Sequence, residues 1–203
     1  MRALAKPLPA HVAKDNDPRK SQINDLLKSI ASDLVGINAW RYQRQISAGL
    51  QEFVEAVAFE HYLSTQSLIS LLEARSLLPP GMGDLLMESD YLLGIYDTIG
   101  EIMRFAITGM ATAGSIPGSG GDRDVLSDLR TLRTCLEALN TKSNPLDREV
   151  IKKAEVMRTC VEKVETSVYG MIVRGRERPK GWIPEAGSGG ASDGADREMV
   201  ESY

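Results

Sequence analysis

Residues 49–63 read GLQEFVEAVAFEHYL, and this stretch decides the fold class. Turned at about 100° per residue, Ile46, Leu50, Phe53 and Val57 fall on one stripe, the period of an α-helix rather than of a strand. Glu52 and Glu55 point away from that stripe. Yet their side of the wheel is not polar, because Ala48, Ala56, Phe59 and Leu63 lie close to them. A helix that is apolar nearly all round is expected to be buried. Burial disfavours a charged carboxylate, so these glutamates need a cation, a proton or a basic partner.

Residues 89–104, SDYLLGIYDTIGEIMR, carry the same period. Leu92, Ile95, Ile99, Ile102, Met103 and Ala106 form a core face. Asp90, Gly94, Asp97, Glu101, Arg104 and Thr108 form the opposite stripe, which alone reads as solvated. Spacings of three and four put Glu52 with Glu55, and Asp97 with Glu101, on one side of their helices. If the two helices face each other, four negative charges converge. Such a cluster stays ionised away from water only when cations neutralise it. The expectation is a divalent-metal site on Glu52, Glu55, Asp97 and Glu101, and carboxylate-held metals commonly cleave phosphodiesters.

Outward from these segments the chain reads as further helices. Residues 1–16 hold two prolines and no periodicity and are expected to be a flexible arm. Asp17-Pro18 suits a helix start, followed by Ile23, Leu26, Leu27, Ile30 and Leu34 at helical spacing, with Gly36 ending the run. Asn38 is expected to cap a helix reaching about Ser64. A short helix over Ser67–Arg75 precedes the break at Pro79-Pro80-Gly81. A long helix is expected from about Gly83 to Gly109, then a loop over Ala111–Gly121. Asp122 or Asp124 opens a helix striped by Val125, Leu129, Leu132, Leu136 and Leu139. Asn144-Pro145 opens the last one, whose Val150, Ala154, Met157, Val161, Val164, Val168 and Met171 make a near-heptad seam. That seam suits a bundle core and a subunit interface equally. The expected organisation is an arm over 1–16, an all-α domain over 17–176 forming an elongated antiparallel bundle of about five to six helices, and a mostly disordered tail over 177–203.

With 203 residues and a net charge of −4, the chain can bury a sizeable core, and its charge does not advertise nucleic-acid binding. A local basic patch is needed for that. Arg41, Tyr42 and Arg44, next to Trp40, interleave cations with aromatics in the manner of a single-stranded RNA contact, or else merely cover apolar surface at a helix start. Arg174, Arg176, Arg178 and Lys180 form a second basic cluster, which suits a helix C-terminus. Cys135 and Cys160 read as buried apolar residues of a reducing compartment, and His61 as a satisfied, partly buried histidine. Neither a membrane span nor a secretory apolar run is evident, so a cytoplasmic or nuclear placement is expected. A di-iron bundle is disfavoured because no Glu-x-x-His motif is present.

The segments GLQEFVEAVAFEHYL-SLIS, DYLLGIYDTIGEIMR and the late VYGMIVRG resemble the translin superfamily, over about residues 20–180. The acidic residues at Glu52, Glu55 and Asp97 are similar to its catalytic, factor X branch rather than to translin. The resemblance implies a catalytic subunit of a magnesium-dependent endoribonuclease, with Mn²⁺ a substitute, acting on single-stranded RNA. It implies a closed hetero-oligomer with translin and a role in processing passenger-strand or precursor-tRNA fragments. Glu52, Glu55 and Asp97 carry over as catalytic metal-binding residues, and Glu101 joins them. The alternative is a non-catalytic structural or RNA-binding subunit. Family members usually carry another long helix ahead of the one at Pro18, where an arm is expected here.

Overall fold

Helical periodicity becomes seven α-helices in the computed structural model, which describes Leu4, residues 7–139 and residues 147–174. They are α1 (Ala10–Ile30), α2 (Ile37–Arg41), α3 (Gln43–Thr65), α4 (Leu71–Ser76), α5 (Glu88–Ala113), α6 (Val125–Glu137) and α7 (Asp147–Arg174). No strand occurs among the described residues, so the protein is all-α as expected. The expected helix start at Asn144-Pro145, the tail over 177–203, and the side chains of Arg174, Arg176, Arg178 and Lys180 lie outside the described residues.

The core is built on α5. Leu93, Ile99, Ile102 and Ala106 are almost fully enclosed, and the helix packs against α3, α7 and α6. From α3 come Leu50, Val54, Ala58 and Tyr62, spaced by four along one face. Met157, Val161 and Val164 of α7 are equally enclosed. The near-heptad seam is therefore bundle core within this chain; only Met171 of the seven is partly open. On α6, Val125, Leu129 and Leu136 face inward, while Leu139 lies past the helix end and is exposed.

The helices do not simply alternate in direction, which modifies the expected antiparallel arrangement. Gln43 and Ser47 of α3 bond to Asp90 near the start of α5, while Phe59 meets Phe105 near its end. Contacts that advance together along both chains mean that α3 and α5 run parallel. The connection over residues 66–87, with α4 in it, carries the chain back to the starting end before α5 begins. By contrast α6 runs against α7, since Glu137 pairs with Arg158 and Arg130 with Glu165.

Several boundaries differ from the sequence reading. The first helix starts at Ala10, not Asp17, so residues 10–16 are helix rather than arm. The amides of Val12 and Ala13 bond to the Pro9 carbonyl, and Pro18 sits inside the helix. The carbonyl that Pro18 leaves without a donor is that of exposed Lys14, where water can satisfy it. Leu4, also within the expected arm, is buried against Gly118. The helix expected from Asn38 is broken at Tyr42 into α2 and α3, and α2 follows Gly36, whose φ of +60° only glycine adopts easily. Ser70 caps α4 through a capping box with Glu73. Asp124, not Asp122, caps α6 by accepting from the Ser127 amide at 2.8 Å. Finally, α5 begins later and ends later than expected, closing at Gly114.

Candidate metal centre

Three contacts fix the register of α3 against α5. At one end the buried Asp90 carboxylate accepts from Gln43 at 3.0 Å and from Ser47 at 2.5 Å, with Gln51 more distant at 3.4 Å. The sequence reading put Asp90 on a solvated stripe; instead it is 3 % exposed, because polar residues of α3's first turns enclose it. One turn further along α5, Gly94 lies against α3. A Cβ there would stand 2.7 Å from both the Gln51 carbonyl oxygen and Val54 Cβ. At the far end Phe59 and Phe105 pack edge to face, ring centroids 6.4 Å apart.

Glu52, Glu55, Asp97 and Glu101 lie between these clamps. Glu55 registers the gathering. Its pKa is raised above the ordinary 4.5, first by burial, then by the charges of Asp97, Glu52 and Glu101, with Arg104 opposing. All four sequence-predicted acids thus share one electrostatic neighbourhood. The expected burial of this helix all round is not found: Glu55 is half-buried and Glu52 exposed. Ala48 and Ala56, on the same side of α3, are exposed too, because the core uses the Leu50–Val54–Ala58 face.

Two of the acids already have cationic partners. Lys153 of α7 ion-pairs with Asp97, and Arg104 pairs with Glu101 one turn earlier on α5. Among the described residues no three His, Cys, Asp or Glu side chains are gathered closely enough to hold a metal as they stand. The donor set, four carboxylates in mutual range, suits a hard divalent cation in chemistry. Lys153 and Arg104 hold Oδ2 of Asp97 and Oε1 of Glu101, and so compete with a cation for these two acids. Lys153 is the residue that sequence reasoning missed. It flanks the apolar seam of α7, and nothing in that pattern tells that it reaches across to α5.

The candidate RNA contacts are placed elsewhere. Arg41, Tyr42 and Arg44 are exposed at the α2–α3 break beside Trp40, which is 82 % exposed. Eight residues of helix separate Arg44 from Glu52, about 12 Å along the axis. His61 is partly buried as expected, its Nε2 3.2 Å from the Ser67 hydroxyl. Of the two cysteines only Cys160 is buried; Cys135 is exposed, on the outer side of α6.

A helical bundle with acid-bearing α3 and α5 at its centre matches one known family across most of its length. Residues 2–175 match the Translin family, and the chain belongs to it. It is similar to Translin-associated protein X of Mus musculus, 28% identical over 202 residues, covering 88% of this chain and 67% of that protein. The Rattus norvegicus protein of the same name gives the same identity and coverage. The Translin-associated protein X homolog of Schizosaccharomyces pombe is 36% identical over 89 residues, 44% of this chain and 36% of that one. No helix among the described residues is long and apolar enough to cross a membrane.

Proposed function

We propose that the chain is the catalytic subunit of a magnesium-dependent endoribonuclease that cuts single-stranded RNA in a hetero-oligomer with translin. The observation that carries this reading is the register of α3 on α5, which brings Glu52, Asp97 and Glu101 into electrostatic range of the half-buried Glu55. Glu52, Glu55, Asp97 and Glu101 would hold the ion through their carboxylate oxygens. When bound, magnesium supplies Lewis acidity toward a water molecule and the scissile phosphate. One of these carboxylates, Glu55 or Asp97, would orient the attacking water and accept its proton at a carboxylate oxygen. Arg41, Tyr42 and Arg44 pair with phosphates and stack on bases of the incoming strand. Passenger-strand or precursor-tRNA fragments in the cytoplasm or nucleus are the substrates this reading expects, and Mn²⁺ can replace Mg²⁺.

The test is RNA cleavage by the assembled complex with Glu52, Glu55 or Asp97 changed singly to alanine. Each change is expected to lower the rate at least about a hundredfold, the scale of losing a positioned acid or base. Full Mg²⁺-dependent rates in all three variants would defeat the assignment. The engagement of Asp97 by Lys153 and of Glu101 by Arg104 favours a second reading, a non-catalytic structural or RNA-binding subunit. Equal activity of translin with and without this chain would support that alternative.

A further inference from the structure

The acidic site contains a positive charge that its own two helices do not supply. Lys153 comes from α7, reaches Asp97 on α5, and is only 26 % exposed. Its charge is directed at the carboxylate that contributes the largest charge effect on Glu55. The ammonium lies on Oδ2 of Asp97, and a divalent cation brought to the same carboxylate meets its repulsion.

We propose that Lys153 is a displaceable internal counter-ion, which neutralises Asp97 in the metal-free protein and leaves that carboxylate when a divalent cation binds. The inference rests on the carboxylate reading above and adds a residue to it. Lys153 suits exchange better than Arg104. Arg104 is 70 % exposed and lies one turn from Glu101 on the same helix, so solvent screens it and its release costs little. Lys153 is more enclosed and ties α7 to α5, so its release is coupled to cation binding. Lysine also suits the task as a single-point charge on a flexible stem, able to withdraw without breaking a two-pronged contact. A counter-ion of this kind weakens metal binding and stabilises the empty site. Removing it makes the empty site less stable and the occupied site easier to form, two effects with a common origin.

The experiment is Mn²⁺ titration of the full chain, followed by electron paramagnetic resonance of free Mn²⁺, for wild type, Lys153→Met and Lys153→Arg. Melting temperatures with and without Mn²⁺ are measured beside it. Lys153→Met is expected to bind about tenfold more tightly than wild type, within the usual range of coupled sites. It is also expected to melt lower without metal and to gain more from saturating Mn²⁺. Lys153→Arg keeps the charge and is expected to bind no more tightly than wild type. Wild type that binds Mn²⁺ while Lys153→Met binds equally or less tightly overturns the role of Lys153 and leaves the carboxylate site standing. Failure of wild type and Lys153→Met alike to bind Mn²⁺ at millimolar concentration overturns both. Should Lys153→Met fail to fold, the ¹⁵N resonance of the Lys153 ammonium in wild type reports the same exchange during Mg²⁺ titration. Its loss of the ion-paired signal supports displacement, and an unchanged signal at saturation overturns it.

Discussion

Glu55 has the pKa direction of a crowded, half-buried acid, and the consequence for stability can be given a sign. Its folded-state pKa lies above its ordinary value, so folding favours the protonated form. That contribution is fully present below pH 4.5 and is lost as pH rises through the folded-state value. Glu55→Gln imitates the protonated form at every pH. Without metal, it is expected to melt higher than wild type near pH 7.5, with the gain shrinking as pH falls toward 4. Thermal melts by circular dichroism across that range would check this, and a lower melting temperature at pH 7.5 would contradict crowding. The gathering of Glu52, Glu55, Asp97 and Glu101 was legible in sequence because helical spacing alone puts each pair on one side. The cations among them were not. Lys153 meets Asp97 only because of how α7 lies on α5, a tertiary fact that no local pattern encodes.

Between elements, a buried polar contact joins α3 to α5 at Asp90. Gln43, Ser47 and Gln51, on successive turns of α3, face one buried carboxylate. Asp90→Ala removes the acceptor of the Ser47 hydroxyl and leaves Gln43 only the Leu85 carbonyl and Gln51 only the Ser47 hydroxyl, at a cost of about 2 kcal/mol. For a chain of this size that corresponds to a fall in melting temperature of roughly 4–8 °C. A change under about 1 °C would show that water replaces the carboxylate. Hydrogen exchange in the α2–α3 segment, which holds Arg41, Tyr42 and Arg44, is expected to speed up in the same variant. Sequence reading put Asp90 on a wet stripe because the wheel of α5 was judged alone; its partners belong to α3. The end capped by Asp124 was legible as one of two candidates, whereas the Ser70 capping box was passed over for a start at Ser67, and the ends at Pro9 and Tyr42, which carry no side-chain cap, were illegible.

Over the whole molecule, stability is uneven. None of the 21 residues of α1 is fully buried, and its ion pair with α3, Lys20 to Glu60, is solvent-accessible and worth little. By contrast α5 presents ten buried residues to three other helices. Native-state hydrogen exchange is expected to find the amides of α1 among the fastest helical ones and those of central α5 among the slowest. Comparable protection in both would contradict this gradient. The all-α class was legible throughout because every long segment carries the helical period. The relative direction of the helices was not, since it depends on where the residue 66–87 connection delivers the chain. Parallel travel of α3 and α5 has one further effect. Gly94 sets their spacing by leaving no room for a side chain against the Gln51 carbonyl and Val54, a turn ahead of Asp97. The gap across which the acids meet is therefore gauged by a missing methyl group, and a mutation with no charge and no ligand atom would spread the jaws.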